Sequence, residues 1–331
     1  MKRHIIWCMA LVALIFTACK NEDITVSRSV NFKINPYEVI SGFDFEVNAG
    51  ELESFNSDHK LRVHLLVYNE NGFLQASDVQ YLTNYQSIMN STLDLPEGNY
   101  TAVAITDVVE YDNDVTFQFW EITDMERIAE LKVTDAGYIG GKYKILVIKN
   151  YDFTVKQGNI DHTIRVQPAG ALMLMFATNV HYFDNLNIIR YELDMNKSSD
   201  FCTFNSDGSY EVAVENNGGS FDWRLCYFDP ADYNNAVYGY YFVLPLGITS
   251  FQWYCKDSGG SWYYAGNEMS VNIKYGEEYL IYLELGSEII TEIEVVNNGS
   301  KAINLPAKVE QAMQKSLVEK NSQVENPQPL K

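Results

Sequence analysis

The first residue with distinctive chemistry is Cys19, whose position offers its thiol for covalent modification. The apolar run from Ile5 to Ala18 is too short to span a bilayer as a helix and is typical of a signal peptide. Small residues directly before a cysteine match a lipobox, in which the thiol receives a diacylglycerol and acyl chains hold the protein on a membrane. The sequence predicts a signal peptide at 1–18 and lipidation of Cys19, with an ordinary secretory signal as the alternative.

Residues 19–29 are polar and carry too little apolar surface to fold, so a tether is expected there. Its residues KNED, a lysine followed by acidic residues, directly follow the cysteine. This order resembles the tag of lipoproteins displayed on the outer face of some anaerobic Gram-negative bacteria, while a plain solvated tether has a similar composition. The expected location is the outer membrane at the cell surface, anchored through lipid on Cys19.

Composition limits the partners of the full chain. Its 331 residues carry 24 lysines plus arginines against 44 aspartates plus glutamates, a net charge of −20. A surface of this sign repels nucleic acid and anionic headgroups, so no nucleic-acid partner is expected. The hydrophobic content of 47% suffices for two cores of ordinary size.

Residue types that perform catalysis occur without the spacing that catalysis needs. The sequence has no Gly-x-Ser-x-Gly elbow and no His-Glu-x-x-His pair. The sequence of residues 136–143 nearly matches the pattern of a phosphate-binding loop. However, Ala136 stands in place of the first glycine, and Tyr143 stands in place of the Ser or Thr that would bind magnesium. Residues 205–211 lack the later glutamate of a calcium loop, so a hairpin turn is predicted. We expect no enzyme activity, no metal and no cofactor.

Three cysteines remain beyond Cys19, namely Cys202, Cys226 and Cys255. Their spacings are not those of zinc ligands, and an odd number leaves at least one free thiol. At most one disulfide is possible among them, and buried apolar cysteines are the preferred interpretation.

Alternation of apolar and polar residues predicts strands along the first half of the chain. One strand is expected at 30–39, with Val30, Phe32 and Ile34 on one face. LRVHLLVYNENGFLQA predicts a hairpin through Asn71-Gly72, and LDLPEGNYTAVAI predicts another through its Pro-Glu-Gly turn. Further strands are expected at 115–121, 129–133 and 142–148.

A second series of short strands begins in HTIRVQPAGALMLMFAT, whose run Leu172–Phe176 is expected to be buried on both faces. Later strands are predicted in LNIIRYELD, GSYEVAVE, FDWRLCYF, YGYYFVLPL, TSFQWYC, SWYYAG, MSVNIK and EEYLIYLELG. Many short strands separated by turn residues predict an all-β protein. Its two sandwich domains are expected at 30–150 and 151–287.

These motifs, in their order, resemble the fimbrillin-like and fimbrial anchor subunit family of surface lipoproteins. The residues that carry the resemblance are LRVHLLVYNENGFL, LDLPEGNYTAVAI, HTIRVQPAGALMLMF and YGEEYLIYLEL, within 30–287. The resemblance implies two transthyretin-like β-sandwich domains in tandem. It also implies a structural or adhesive subunit of a fimbria-like assembly, joined to other fimbrial subunits by strand or edge pairing.

The resemblance further distinguishes stalk subunits from anchors. Stalk subunits lose their first strand through an arginine-directed cut downstream of it, which opens a groove for a strand of the next subunit. Here the loop 40–58 contains no arginine, Arg28 precedes the predicted first strand, and Arg62 lies within the next one. We therefore expect this chain to keep its first strand and its lipid, as an anchor does.

Aromatic residues are dense in the second half, and exposed flat rings are suited to stacking on sugars. The candidate stacking residues are Trp223, Trp253 and Trp262. Adjacent pairs such as Trp253-Tyr254 and Trp262-Tyr263 place one ring on each face of a strand, so some rings should lie outside. Cross-strand packing is the alternative explanation. A surface glycan-binding lipoprotein is therefore the second functional hypothesis.

Residues 288–331 are expected to form a C-terminal extension. EIITEIEVVN is compatible with one more strand, and PAKVEQAMQKSLVEK places Val309, Met313 and Leu317 at helical spacing. A short helix before a polar tail and a docking segment for a partner are both open.

Overall fold

The computed structural model describes residues 27–36, 59–83, 87–112, 115–136, 145–157, 160–199, 201–213, 222–228 and 236–297. The predicted signal peptide, Cys19, the loop 40–58 and the predicted C-terminal helix lie outside these residues. Strands dominate the described chain, alongside a short 3₁₀ helix at Val180–Leu186. The predicted all-β class is confirmed.

The strands are numbered β1 to β21 in chain order. They are β1 Ser27–Ile34, β2 His59–Asn69, β3 Leu74–Leu82, β4 Met89–Pro96, β5 Gly98–Asp112, β6 Val115–Gln118, β7 Trp120–Thr123, β8 Lys132–Asp135, β9 Leu146–Val155, β10 Asp161–Ile164, β11 Gln167–Pro168, β12 Ala171–Thr178, β13 Ile188–Ser199, β14 Phe201–Phe204, β15 Tyr210–Ala213, β16 Asp222–Phe228, β17 Ala236–Asp257, β18 Trp262–Tyr264, β19 Met269–Asn272, β20 Glu278–Glu284 and β21 Ile290–Asn297.

The first half forms a sandwich of two sheets. Sheet A has the order β10-β1-β4, and sheet B has the order β11-β9-β5-β2-β3 with β6 added on β5. Val30, Phe32 and Ile34 of β1 are buried and share one core with sheet B, where Phe32 meets Phe153 edge to face at 5.3 Å. The predicted inward face is confirmed, although β1 begins before the predicted strand and therefore includes Arg28.

The hairpin between β2 and β3 is present, but its turn differs from the predicted Asn71-Gly72 turn. The amide of Gly72 donates to the carbonyl of Asn69 at 2.8 Å, which makes Glu70 and Asn71 the central residues. Gly72 follows them with φ of +75°, a left-handed conformation that costs glycine little. The loop is therefore a three-residue turn with its glycine at the bulge position.

The turn around Glu97 is not a hairpin, which corrects the prediction. β4 before it pairs with β1 in sheet A, whereas β5 after it pairs with β2 and β9 in sheet B. The chain thus crosses from one layer to the other at this corner. The hydroxyl of Tyr100 donates to the carbonyl of Pro96 at 2.9 Å and holds the corner closed.

The second half is built on an eight-stranded sheet of order β16-β13-β17-β12-β20-β21, with β18 and β19 also paired to β17. β12 is buried on both faces, as predicted. Its Leu174 and Phe176 point into the core that β1 shares with sheet B, here called the first core. Its Met173 and Met175 point into a separate core, here called the second core. The two strands predicted at YGYYFVLPL and TSFQWYC are one 22-residue strand, β17, which pairs first with β12 and then with β13.

A four-stranded sheet of order β15-β14-β8-β7 joins the two halves of the chain. Cys202 of β14 pairs with Val133 of β8, and both side chains are buried in the first core. The turn between β14 and β15 is the hairpin predicted at 205–211, where Asp207 accepts hydrogen bonds from the amide and hydroxyl of Ser209. The halves therefore share backbone hydrogen bonds as well as side-chain packing.

Strand pairing places the end of the first sandwich later than the predicted boundary between 150 and 151. That position lies inside β9, which pairs with β5 along its length. β10 runs parallel to β1 and β11 pairs with β9, so the first sheets continue to Pro168. At the other end β21 pairs with β20, so the second sheet continues beyond residue 287 to Asn297. The strand expected in this segment is confirmed.

Candidate functional site

The predicted stacking residues have different surroundings. Trp253 is fully buried in the second core with Leu193 and Phe251, so it cannot present a ring to a sugar and that prediction is wrong. Trp262 lies in β18 and is 36% exposed. Trp223 lies in β16, and its side chain is outside the described part of the structure, as is Cys19.

The hairpin of β17 and β18 has an outward face that sequence reasoning found only in part. Cys255 points into the second core, so its neighbours Tyr254 and Lys256 point outward. Across the hairpin, Tyr264 pairs with Tyr254, and Trp262 pairs with Lys256. We call Tyr254, Lys256, Trp262 and Tyr264 the outer ring cluster. The sequence feature that could have revealed this face is the alternation of side chains along the strand. If Cys255 points inward, every second residue on each side of the Ser-Gly-Gly turn points outward.

Within the outer ring cluster the side chains are in contact. The ring centroids of Tyr254 and Tyr264 are 4.8 Å apart with an interplanar angle of 44°. The ammonium of Lys256 lies 5.0 Å from the ring centroid of Trp262, within range of a cation–π interaction. Tyr264 is 71% exposed, so much of the aromatic surface faces solvent.

The turn behind this cluster is held by Asp257. Its carboxylate accepts a hydrogen bond from the amide of Ser261 at 2.8 Å and another from the hydroxyl of Tyr263 at 2.9 Å. The hydrogen bond from Ser261 has the larger effect, and together with that from Tyr263 it lowers the pKa of Asp257. The amide of Ser258 donates to the carbonyl of Asn187 at 3.0 Å, which ties the turn to the start of β13.

A second candidate region surrounds β1, the strand on which the predicted distinction between stalk and anchor depends. β1 is the middle strand of sheet A, antiparallel to β4 and parallel to β10. Arg28 lies within it and forms an ion pair with Glu97 at 2.9 Å. The next arginine, Arg62, is buried in β2 and paired with Asp107. The prediction that Arg62 lies within a strand is confirmed.

Burial shifts the pKa values of two cysteines and one histidine among the described residues. Burial raises the pKa of the Cys202 thiol to about 12 and that of Cys255 to about 11, so both remain protonated at neutral pH. Both are free and buried, as predicted for apolar cysteines. Burial, followed by the charge of Arg62, lowers the pKa of His64 to about 4. The described residues contain no group of three or more ligating side chains that could hold a metal ion.

No helix among the described residues has the length and apolar character needed to cross a membrane. No protein-family model and no curated protein matches this sequence.

Solved structures with a similar chain path include proteins of Bacteroides and Porphyromonas species. A candidate adhesin from Bacteroides ovatus is 9% identical with a TM-score of 0.46, and 85% of this chain covers 98% of that one. A candidate polysaccharide-binding protein from Bacteroides thetaiotaomicron is 12% identical with a TM-score of 0.44, and the coverage is 82% and 99%. The tip fimbrial protein Mfa3 of Porphyromonas gingivalis is 12% identical with a TM-score of 0.39, covering 81% and 99%. At TM-scores below 0.5 these likenesses are remote, and the all-β fold rests on the strands of this chain.

Proposed function

We propose that this chain is a lipid-anchored cell-surface subunit of a fimbria-like assembly, and that it acts as an anchor rather than as a stalk subunit. Its role is structural or adhesive and not catalytic. The observation that carries the proposal is the position of β1. This strand begins shortly after Cys19 and is hydrogen-bonded to a neighbour on each side.

A lipid on Cys19 would be joined to the folded core through the short tether and β1. Val30, Phe32 and Ile34 bury their side chains under sheet B, so β1 cannot leave without exposing apolar surface. Acyl chains on the cysteine would therefore hold the first sandwich close to the membrane. A subunit that keeps both the lipid and its first strand suits the base of an assembly.

The arginines of this region support retention of β1. An arginine-directed cut at Arg28 would leave Phe32 and Ile34 in place, because Arg28 lies near the start of the strand. A cut at Arg62 would require β2 to unfold, since that side chain is buried and donates two hydrogen bonds to Asp107. The sequence has no arginine between these two positions.

Partner subunits would join through the edges of the sheets. Among the described strands, β21 ends the order of the eight-stranded sheet and exposes Ile290 and Val295. Unpaired backbone groups on such an edge can accept a strand from another chain. Glycan binding is the second candidate function, and the exposed outer ring cluster favours it.

Mass spectrometry of the mature surface protein and membrane fractionation test the anchor proposal. We expect an N-terminus at acylated Cys19 and loss of the membrane-bound form in Cys19→Ala, because the acyl chains supply the membrane affinity. Lys20→Ala is the matched control, since it alters the tether and leaves the thiol. An N-terminus beyond residue 40 would identify a stalk subunit, and a Cys19→Ala protein that stays on the membrane without a partner would reject the lipid anchor.

A further inference from the structure

The outer ring cluster is exposed by the geometry of its hairpin. The inward positions of β17 are occupied by Trp253 and Cys255, which are buried in the second core. The intervening Tyr254 must then point away from that core, and its pairing with Tyr264 brings a second ring to the same face. The rings are therefore kept outside by the packing of their neighbours.

The hairpin that carries these rings is preorganised. Asp257 closes the turn by accepting hydrogen bonds from Ser261 and Tyr263. Gly260 has φ of +89°, which places the turn in a conformation that glycine adopts readily. A surface that is ordered before binding loses less conformational entropy when a ligand arrives.

In the outer ring cluster, apolar ring faces lie next to polar groups. Trp262 and Tyr264 are two residues apart on one strand, which places them about 7 Å from each other. The Lys256 ammonium lies over one face of the Trp262 ring, and the tyrosines add hydroxyls at their rims. A pyranose has the complementary pattern, with an apolar C–H face surrounded by hydroxyl groups.

We propose that the outer ring cluster is a binding surface for oligosaccharides built of pyranose units. The sugar faces stack on the rings of Trp262 and Tyr264, and Lys256 donates hydrogen bonds to sugar hydroxyls. The net charge of −20 disfavours nucleic acid as the stacking ligand. The aromatic rings and charged amine lack the continuous aliphatic surface that a lipid layer would bury. This inference rests on the glycan-binding candidate and not on the anchor role, since the cluster lies on a different sheet from β1.

Affinity electrophoresis of the purified soluble chain tests the site. The chain, with Cys19→Ala to prevent acylation, is run in native gels that contain α-mannan, β-glucan, arabinoxylan or polygalacturonate. We expect at least one polysaccharide to retard it. Trp262→Ala and Tyr264→Ala should each weaken that retardation about tenfold or more in apparent Kd, as central aromatic contacts do. Tyr81→Ala removes an exposed ring on β3 of sheet B and is the matched control, with retardation unchanged.

Far-ultraviolet circular dichroism and a cooperative thermal unfolding transition of each variant establish that the fold is intact. Absence of retardation in all four gels would overturn the proposal. Retardation that survives both Trp262→Ala and Tyr264→Ala would place the sugar elsewhere and would also overturn it. Analytical ultracentrifugation supplies a further arm, because an oligomer that dissociates in Trp262→Ala and shows no sugar binding would identify the cluster as a self-association surface instead.

Discussion

Arg62 and Asp107 face each other on adjacent strands and form a bidentate ion pair inside the protein. The Nε of Arg62 donates to Oδ1 of Asp107 at 2.9 Å, and Nη2 donates to Oδ2 at 2.7 Å. The same guanidinium donates to Gln118 of β6 and to the carbonyl of Trp120 in β7. The Arg62 side chain thus binds β6 and β7, which lie between β5 and β9 in the chain, to sheet B.

Breaking this pair should destabilise the protein strongly. Asp107→Asn leaves the Arg62 charge buried without a countercharge, and we expect the free energy of unfolding to fall by about 3–5 kcal/mol. The matched control is Glu97→Gln, which breaks the exposed pair with Arg28 and should cost less than about 1 kcal/mol. Urea unfolding of both variants measures the difference. Equal losses would show that burial does not set the strength of the Arg62 pair.

His64 should make stability depend on pH. Its folded pKa of about 4 lies below the usual 6.5, so the unfolded chain binds more protons between these values and stability falls as pH falls. From pH 7 to pH 5 the loss from this residue should be about 2 kcal/mol. Urea unfolding at both pH values, with wild type compared to His64→Leu, measures it.

The contributions of other titrating groups cancel when the pH dependence of wild type is compared with that of His64→Leu. Burial raises the pKa of Asp107 to about 6 against the opposing charge of Arg62, and this carboxyl titrates in both proteins. If His64→Leu loses as much stability as wild type on acidification, His64 is not the buried neutral histidine that the structure contains.

Gly208 should be needed for the contact between the β14–β15 turn and sheet B. It has φ of +78°, and a Cβ there would lie 2.8 Å from Cγ2 of Thr101 and 3.1 Å from Cβ of Asn150. Gly247 has φ of +75° with no atom within 4 Å of such a Cβ. We expect Gly208→Ala to lower the free energy of unfolding by about 1–3 kcal/mol more than Gly247→Ala, because only the Cβ at position 208 clashes with its neighbours. Both variants carry the same backbone strain, so thermal unfolding of the two isolates the clash. Similar costs would mean that the turn does not pack on sheet B.

The two halves should resist separation by protease. In β9, Tyr151 and Phe153 pair with Ala102 and Tyr100 of β5, and Phe153 is buried, so chymotrypsin should not cut there in the native protein. Tyr264, in a three-residue strand and largely exposed, is the internal control and should be cut first among these sites. Calorimetry should show one unfolding transition, since the sheet containing β8 and β14 joins the halves. Early cleavage at Tyr151 or Phe153 would restore the boundary expected from the sequence.

Local features were predictable where a short stretch of chain decides them. The inward face of β1 followed from alternation, because a strand presents Val30, Phe32 and Ile34 on one side whatever its partners are. The turn at 205–211 followed from Asp207, whose side chain satisfies nearby backbone and side-chain groups. The burial of β12 on both faces followed from its uninterrupted apolar run.

Features that depend on a distant partner were missed. A Pro-Glu-Gly turn reverses the chain, but it does not specify whether the next strand pairs with the previous one or crosses to the other sheet. The strand opened by Asp161 was assigned to the second half by its position in the chain, yet it pairs with β1. The candidate stacking residues were likewise unresolved, because alternation separates Trp253 from Tyr254 without saying which faces the core.

By itself, the sequence determined the β period, the turn residues and the excess of acidic residues, and it predicts lipidation of Cys19, since each depends on composition or on neighbours along the chain. Tertiary structure alone decided that β8 and β14 share a sheet, that Arg62 meets Asp107, and that Trp262 is exposed while Trp253 is buried. The physical reason is that strand partners are chosen by burying side chains from both strands together. Such a choice between segments far apart in the chain leaves no mark within either segment.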